Sequence, residues 1–245
     1  MKVIVVPDVH SRTFWKDVVN IKCDKIIFLG DYVDPYPSED PETLYDNPVD
    51  CLEEIIQFKK DNLEKVELLY GNHILHYVLN GFPESSRYNR ISSGLYERII
   101  KENQNLFTIG YVIDNVIFTH AGITKEWAKL LILDKSVLEL GKFLQQSIDF
   151  DKDSANYRYL AAVSYYRGGL DSCGSCEWAD IREHINHHET EVKGEIVPIG
   201  EEGIYQVFGH TQLNNPLITD KWACLDCRKI FEIDTITHEI TEYSV

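Results

Sequence analysis

Five short runs of aliphatic, β-branched and aromatic residues each break off into polar residues, and this pattern constrains the chain more than any other. Val3 to Val6 leads into Pro7-Asp8-Val9-His10, Lys25 to Leu29 into Gly30-Asp31-Tyr32-Val33-Asp34, and Val66 to Tyr70 into Gly71-Asn72-His73. Further on, Val116 to Thr119 leads into His120-Ala121-Gly122, and Ile204 to Phe208 into Gly209-His210-Thr211. Runs of about four to six such residues, closed by Gly or Asp, read as strands buried on at least one face. Helical patterns lie between them. One starts near Asn47-Pro48 and carries Leu52, Ile55 and Ile56 inward, with Pro at a favoured first position. Another opens at Ser136 with Glu139 three residues on, a capping-box pattern, and continues through Leu138, Phe143 and Leu144. Strand–helix alternation predicts an α/β fold. The tail, from Phe231 through Thr235 to Tyr243, predicts a terminal hairpin and therefore a mixed sheet. Ligands of open α/β sheets bind beyond the carboxyl ends of the strands. The polar residues above all fall there.

At 245 residues, with 44% hydrophobic and 11% aromatic residues, the chain can bury a sizeable core, which excludes a disordered or fibrous protein. A single domain over residues 1–245 is expected. No apolar run approaches the roughly 18 residues of a membrane span. Met1-Lys2 leads straight into a strand pattern rather than a signal peptide, so a soluble, cytoplasmic protein with no membrane partner is expected. Asp and Glu number 40 against 24 Lys and Arg, a formal net charge of −16. Such a surface repels a polyphosphate backbone and argues against general nucleic-acid binding. A phosphorylated substrate remains compatible if metal ions supply positive charge locally. Six cysteines make no disulfide scaffold in a chain of this length.

Singly, each strand-end motif is weak, since a lone histidine after a strand is usually structural. Together, and in order, they supply histidines, one amide and carboxylates. That mix of nitrogen and oxygen donors suits two adjacent divalent ions such as manganese, iron or zinc.

The motifs Asp8-Val9-His10, Gly30-Asp31-Tyr32-Val33-Asp34, Gly71-Asn72-His73, His120-Ala121-Gly122 and Gly209-His210 resemble the pattern of the calcineurin-like metallophosphoesterases. Asn89-Arg90-Ile91 with Gly94-Leu95-Tyr96-Glu97, and Trp178-Ala179-Asp180, resemble the phosphoprotein phosphatase branch and its diadenosine tetraphosphatase relatives. The resemblance implies mixed β-sheets sandwiched between helices, in α/β/β/α layers. It also implies a site for two divalent ions, manganese first, with iron, zinc, nickel or magnesium as the other choices. On that resemblance Asp8 and His10 bind the first metal, Asp31 bridges both, and Asn72, His120 and His210 bind the second. A metal-bridging hydroxide is the implied nucleophile, and His73 is the implied general acid, oriented by Asp34. A carboxylate beside an imidazole orients it and favours its charged form, which suits proton donation near neutral pH.

The departures carry information too. Pro35 stands where the branch usually has an arginine that grips phosphate, Ile74 where it has an acid, and Gln212 where other superfamily members have a second late histidine. Arg167 is the expected substitute for the missing arginine, with Arg182 as its competitor, because guanidinium recognises phosphate bidentately.

Other signals are read as structural. Cys173-x-x-Cys176 and Cys224-x-x-Cys227 have zinc-site or redox spacing, but residues three apart on a strand from Trp222 to Cys227 point to opposite faces. Packed cysteines are expected. His184, His187 and His188, flanked by Glu183 and Glu189, read as a solvated face, His76 as a packing residue, and Ser38 to Asp50 as a solvated loop or a rim facing substrate. The functional expectation is a Ser/Thr-type protein phosphatase acting on a phosphorylated protein or a small phosphoester. The alternatives are a dinucleoside polyphosphate hydrolase, a cyclic-nucleotide phosphodiesterase, and a non-catalytic scaffold of the same fold.

Overall fold

The computed structural model describes residues 1–131, 143–153, 155–185 and 204–243. The expected helix start at Ser136 to Glu139, and His187, His188 and Glu189, lie outside the described residues.

The first sheet begins with β1 (Lys2–Val6), β2 (Lys25–Phe28), β3 (Val66–Leu69) and β4 (Phe107–Thr108), each parallel to the next. The second contains β5 (Gly110–Ile113), β6 (Val116–Thr119), β7 (Tyr205–Phe208), β8 (Leu217–Ile218) and β9 (Trp222–Cys224), in the order β5-β6-β7-β9-β8. Here β6, β7 and β9 are parallel, and β5 and β8 close the edges antiparallel. The expected hairpin forms as β10 (Ile230–Asp234) and β11 (Ile240–Tyr243), and β10 pairs antiparallel with β1 to complete a six-stranded first sheet. The α/β expectation with mixed sheets therefore holds.

The period of two along a strand builds the layers. Val3 and Val5 join Ile27, Leu29, Phe118, Val207 and Phe231 in the core between the two sheets. Ile4 and Val6 point the other way and pack with Ile26, Phe28 and Leu68 against the helices. Both faces of β1 are fully buried, and burying each such aliphatic side chain contributes about 1.5–3 kcal/mol. Helix α1 (Pro48–Asp61) starts where the sequence predicts: the Asn47 side chain accepts from the Val49 N–H at 3.2 Å, and Leu52, Ile55 and Ile56 face the core. Helix α2 (Asn72–Val78) follows β3 after only Tyr70 and Gly71, α3 (Ser93–Glu102) packs on it, and α4 (Lys125–Leu131) follows β6. Among the described residues no helix is long and apolar enough to cross a membrane.

Candidate active site

Every parallel strand named by the sequence delivers its motif to one edge of the molecule, between the two sheets. Asp8 and His10 follow β1, Asp31 and Asp34 follow β2, Asn72 and His73 follow β3, His120 follows β6, and His210 follows β7. All eight are buried. The turns that aim them are strained. His10, Asp31, Asp34 and His210 have φ of 45°, 50°, 59° and 63°, where a Cβ crowds the carbonyl and costs about 1–2 kcal/mol per residue. Strain of this kind clusters at functional sites. Two glycines admit the carboxylates: a Cβ on Gly71 would lie 2.2 Å from Asp31 Oδ1, and one on Gly209 would lie 2.2 Å from Asp8 Oδ1.

Around Asp31 the facing atoms are lone pairs. His120 donates from Nδ1 to the Leu29 carbonyl at 2.8 Å, which leaves Nε2 bare in the neutral ring. The Asn72 amide donates to Ser85 Oγ at 2.7 Å, which turns its Oδ1 inward. His120 Nε2, Asn72 Oδ1 and His210 Nδ1 then form a triangle with sides of 3.0, 3.1 and 3.1 Å, and Asp31 Oδ2 stands 3.4 Å from His120 Nε2. On its other side Asp31 Oδ2 lies 3.6 Å from Nε2 of His10, whose Nδ1 donates to the Val33 carbonyl at 3.0 Å. Acceptors that converge in this way call for a cation. The charges agree. Burial keeps His10 and His210 well below the usual imidazole range, hence neutral, with lone pairs available. Burial opposes the charge on Asp31 too, but His120, His73 and His10 outweigh it and hold the carboxyl well below its ordinary range. At His120 burial is outweighed by Asp31 and Asp8, which push the ring up to about 10, so its Nε2 position carries a proton unless a cation displaces it. Ligand atoms of Asp31, His120 and His210, and separately of Asp31, His10 and His73, lie within 4.8 Å of one another. The donor set fits two ions that share Asp31, as the oxygen-and-imidazole chemistry of first-row divalent metals requires.

Around Asp34 the facing atoms are donors. His73 Nδ1 lies 2.8 Å from Asp34 Oδ2, His76 Nε2 lies 3.0 Å from the same oxygen, and the Tyr77 hydroxyl donates to Oδ1 at 2.6 Å. The Ser85 N–H donates to His76 Nδ1 at 3.1 Å, which places that ring's proton on Nε2, toward Asp34. His76 is therefore buried, as a packing residue would be, but it also belongs to the site. The His73 and His10 rings meet edge to face at 5.0 Å.

Asp8 lies beside this set and accepts the His210 backbone N–H with both oxygens, at 3.0 and 3.2 Å. Two further buried acids face the same centre. Asp226 follows the parallel strand β9, and burial with the charge of Asp8 raises its carboxyl well above the ordinary range. Glu177 is fully buried and raised for the same first reason. The sequence signal for Asp226 is a sixth strand end, obscured by the cysteine spacing around it.

The remaining expectations divide. Arg167 Nε pairs with Asp180 at 2.8 Å and Nη2 donates to Thr211 at 2.6 Å, and its charge is felt at His210. Arg182 is half exposed, pairs with the same Asp180 at 2.7 Å and stacks on Tyr166. Arg87, which sequence reasoning passes over, lies beside the general-acid candidate, with Nη2 3.3 Å from His73 Nε2. The solvated-face reading of His184 and Glu183 is corrected. Both are buried, because Glu183 accepts from Ser164 Oγ, Gly174 N–H and Asp180 N–H at 2.5, 2.8 and 2.9 Å and so anchors a loop. All six cysteines are free thiols. Strand β9 stops at Cys224, and the four C-x-x-C cysteines divide among three separate apolar clusters, which supports the packing reading. In the loop from Ser38 to Asp50, Glu39 ties down Arg12 and Arg228 at 2.7 and 2.9 Å.

Comparison with known proteins bears on the family and the fold. The sequence profile of the calcineurin-like phosphoesterases matches residues 1–213. No curated protein matches the chain. A cold-active protein-tyrosine phosphatase of the psychrophile Shewanella sp. is 18% identical, with a TM-score of 0.56 over 99% of this chain and 80% of its own. A Saccharomyces cerevisiae protein serine/threonine phosphatase with similarity to human phosphatase PP5 is 10% identical, with a TM-score of 0.52 over 100% of this chain and 80% of its own. At these identities the likeness is one of fold. The profile, by contrast, spans most of the chain and all the strand-end motifs named from the sequence. The chain belongs to the calcineurin-like phosphoesterases and is a metal-dependent phosphoester hydrolase.

Proposed function

We propose that the chain is a phosphomonoesterase of the Ser/Thr protein phosphatase type, working near neutral pH in the cytoplasm as a single domain. The observation that carries this reading is the His73–Asp34 pair at 2.8 Å, seated beside a lone-pair cluster that fits two ions. A serine alkoxide is a poor leaving group and needs a proton as the P–O bond breaks, and a carboxylate-oriented imidazole supplies one. When bound, two divalent ions activate water and neutralise phosphoryl oxygens; the family implies such a centre, and manganese is the ion we favour. Asp8, His10 and Asp31 would hold the first ion, and Asp31, Asn72, His120 and His210 the second. Asp34 accepts the Nδ1–H of His73 and so turns Nε2, the atom that must carry the donated proton, toward the substrate. Arg167 places a positive charge at the His210 end. The phosphoprotein substrates that the two solved neighbours' names carry support a protein substrate here, and the six free thiols support a reducing compartment.

The test is a side-by-side measurement of kcat/KM with manganese on a phosphoserine peptide, a phosphotyrosine peptide, diadenosine tetraphosphate, a cyclic nucleotide and an aryl phosphate. The phosphoserine peptide should exceed the dinucleotide and the cyclic nucleotide by at least tenfold, on the order of one well-placed proton transfer. Preference for the dinucleotide or the cyclic nucleotide overturns the protein-phosphatase reading, and no turnover of any substrate overturns the enzymatic one.

A further inference from the structure

Arg87 sits on the return from α2, 14 residues after His73. Its side chain is fixed on three sides. Nε donates to the Asp34 carbonyl at 3.0 Å, Nη1 donates to Ser86 Oγ at 3.0 Å, and the guanidinium carbon stacks 3.6 Å from the centroid of Tyr36. Tyr36 in turn meets His10 edge-on at 5.0 Å. The fourth direction is open to the site: Nη2 reaches 3.3 Å from His73 Nε2.

Three features separate this guanidinium from its neighbours. Arg12, Arg167 and Arg182 are each ion-paired, at 2.7, 2.8 and 2.7 Å, the last two sharing Asp180, whereas Arg87 makes no ion pair among the described residues. Its backbone lies in the left-handed region, φ 67°, a conformation that costs a residue with a Cβ and marks a constrained position. Its anchor is the carbonyl of Asp34, the peptide that joins Asp34 to Pro35, so it brings a positive charge to the place where an arginine at position 35 would branch. A stacked, pre-oriented, half-buried guanidinium with an unspent charge is a binding element for an oxyanion.

Resting on the phosphoester-hydrolase reading above, we infer that Arg87 is the phosphate-gripping residue of this site, taking the place that Pro35 leaves empty. The Nη2–H that points at His73 is the donor a phosphoryl oxygen takes over. That oxygen would lie within reach of Arg87 and His73 together, which orients the ester with its leaving group toward the imidazole. Arg167, spent on Asp180 and Thr211, then serves the opposite end of the substrate or only the loop. The charge also sets preference: a terminal phosphoryl dianion gains more from an unneutralised guanidinium than a diester monoanion does.

The experiment uses manganese-loaded protein and inorganic phosphate as the probe. Binding is measured by titration calorimetry in the wild type and in Arg87→Ala, Arg87→Gln, Arg87→Lys and Arg167→Ala, with metal per chain and melting temperature measured alongside. Arg87→Ala and Arg87→Gln should each keep the wild-type metal content and weaken phosphate binding by about 10- to 100-fold, the scale of one charge-assisted contact. The loss should fall mainly on KM for a phosphoserine peptide. Gln keeps a donor for the Asp34 carbonyl, so it separates loss of charge from loss of packing. Lys restores charge without the fork and should recover only part of the loss. Wild-type phosphate binding in Arg87→Gln overturns the assignment, and a defect confined to Arg167→Ala transfers it there. Arg87-dependent phosphate binding in a protein that hydrolyses no ester leaves the anion site standing and removes the hydrolase reading. Full turnover with phosphate binding indifferent to Arg87 does the reverse.

Discussion

Asp31 and Asp34 leave the same strand three residues apart, both buried and both in the left-handed region, yet their surroundings are opposite in kind. The atoms facing Asp31 are ring nitrogens whose opposite Nδ1 already sits on a backbone carbonyl, His10 Nε2 and His120 Nε2, with Asn72 Oδ1 and His210 Nδ1 beyond. The groups facing Asp34 are donors: His73, His76 and the Tyr77 hydroxyl. Sequence distance does not separate them, and neither does distance in space, since His73 lies within ligand range of His10 and Asp31. What separates them is where each neighbouring ring has already placed its proton. Backbone carbonyls of Leu29 and Val33 take the Nδ1 protons of His120 and His10, so Nε2 is the atom each turns inward, bare at His10 and at His120 holding a proton that a cation can replace. The Ser85 N–H forces the proton of His76 outward to Asp34. A carboxylate that gathers lone pairs can hold a cation; one that gathers donors can hold a proton carrier in place.

The sharpest way to break this contrast is Asp31→Asn. It should lower turnover by on the order of a thousandfold or more and reduce the metal content below two ions per chain, since the several kcal/mol of transition-state charge stabilisation depend on both ions. A variant with full activity and two ions would show that Asp31 is not shared. His73→Asn should keep both ions and lose about 10²- to 10⁴-fold on a phosphoserine peptide, but far less on an aryl phosphate whose leaving group needs no proton. Equal losses on the two substrates, or a missing ion, would move His73 to the ligand side of the comparison.

Ser85→Ala tests the support beneath Asn72. Without the hydroxyl the amide is free to rotate, and metal affinity at the second site should fall by about 10- to 100-fold, the usual scale for a group that orients a ligand. Competition with a chelator measures it. Asp34→Asn should show the same substrate leaning as His73→Asn but more mildly, roughly tenfold, because the acid is misaligned rather than removed.

The smallest effect is on acid stability. Burial opposes the charge of Asp34, but hydrogen bonds from His73, His76 and Tyr77 outweigh it and hold the carboxyl below its ordinary 3.8. A depressed value in the folded state stabilises the fold above the ordinary carboxylate range, and this stabilisation is lost as pH falls through the depressed value. Melting temperatures of wild type and Asp34→Asn should therefore converge as pH drops from 6 toward 3. Parallel curves would show that Asp34 titrates alike in the folded and unfolded chains.

Much of this was legible in the sequence because strands announce their own ends. β1, β2, β3, β6 and β7 each begin and stop within about a residue or two of their predicted runs, and each carries its motif into the site. The residues that escaped notice reach the site by tertiary return rather than by strand exit. Arg87 and Ser85 lie in a loop with no periodicity, and only the short length of α2 and its turn at Gly81 bring them back to His73 and Asn72. Glu183 stands in a charged, histidine-rich run, where a solvated side chain is the ordinary expectation. Its burial follows from three donors of a loop that no local pattern reveals.

The left-handed turns at His10, Asp31, Asp34 and His210 have a consequence for how such a chain tolerates change. Glycine would adopt each of these conformations without steric cost, so selection for heat resistance alone has a route to stability at each position that removes the side chain the site depends on. Gains in robustness must be sought elsewhere, in the helices and in the exposed loops. A mutational library ranked by folding and the same library ranked by turnover should disagree most at these four residues, and that disagreement would trace the outline of the site with no substrate in hand.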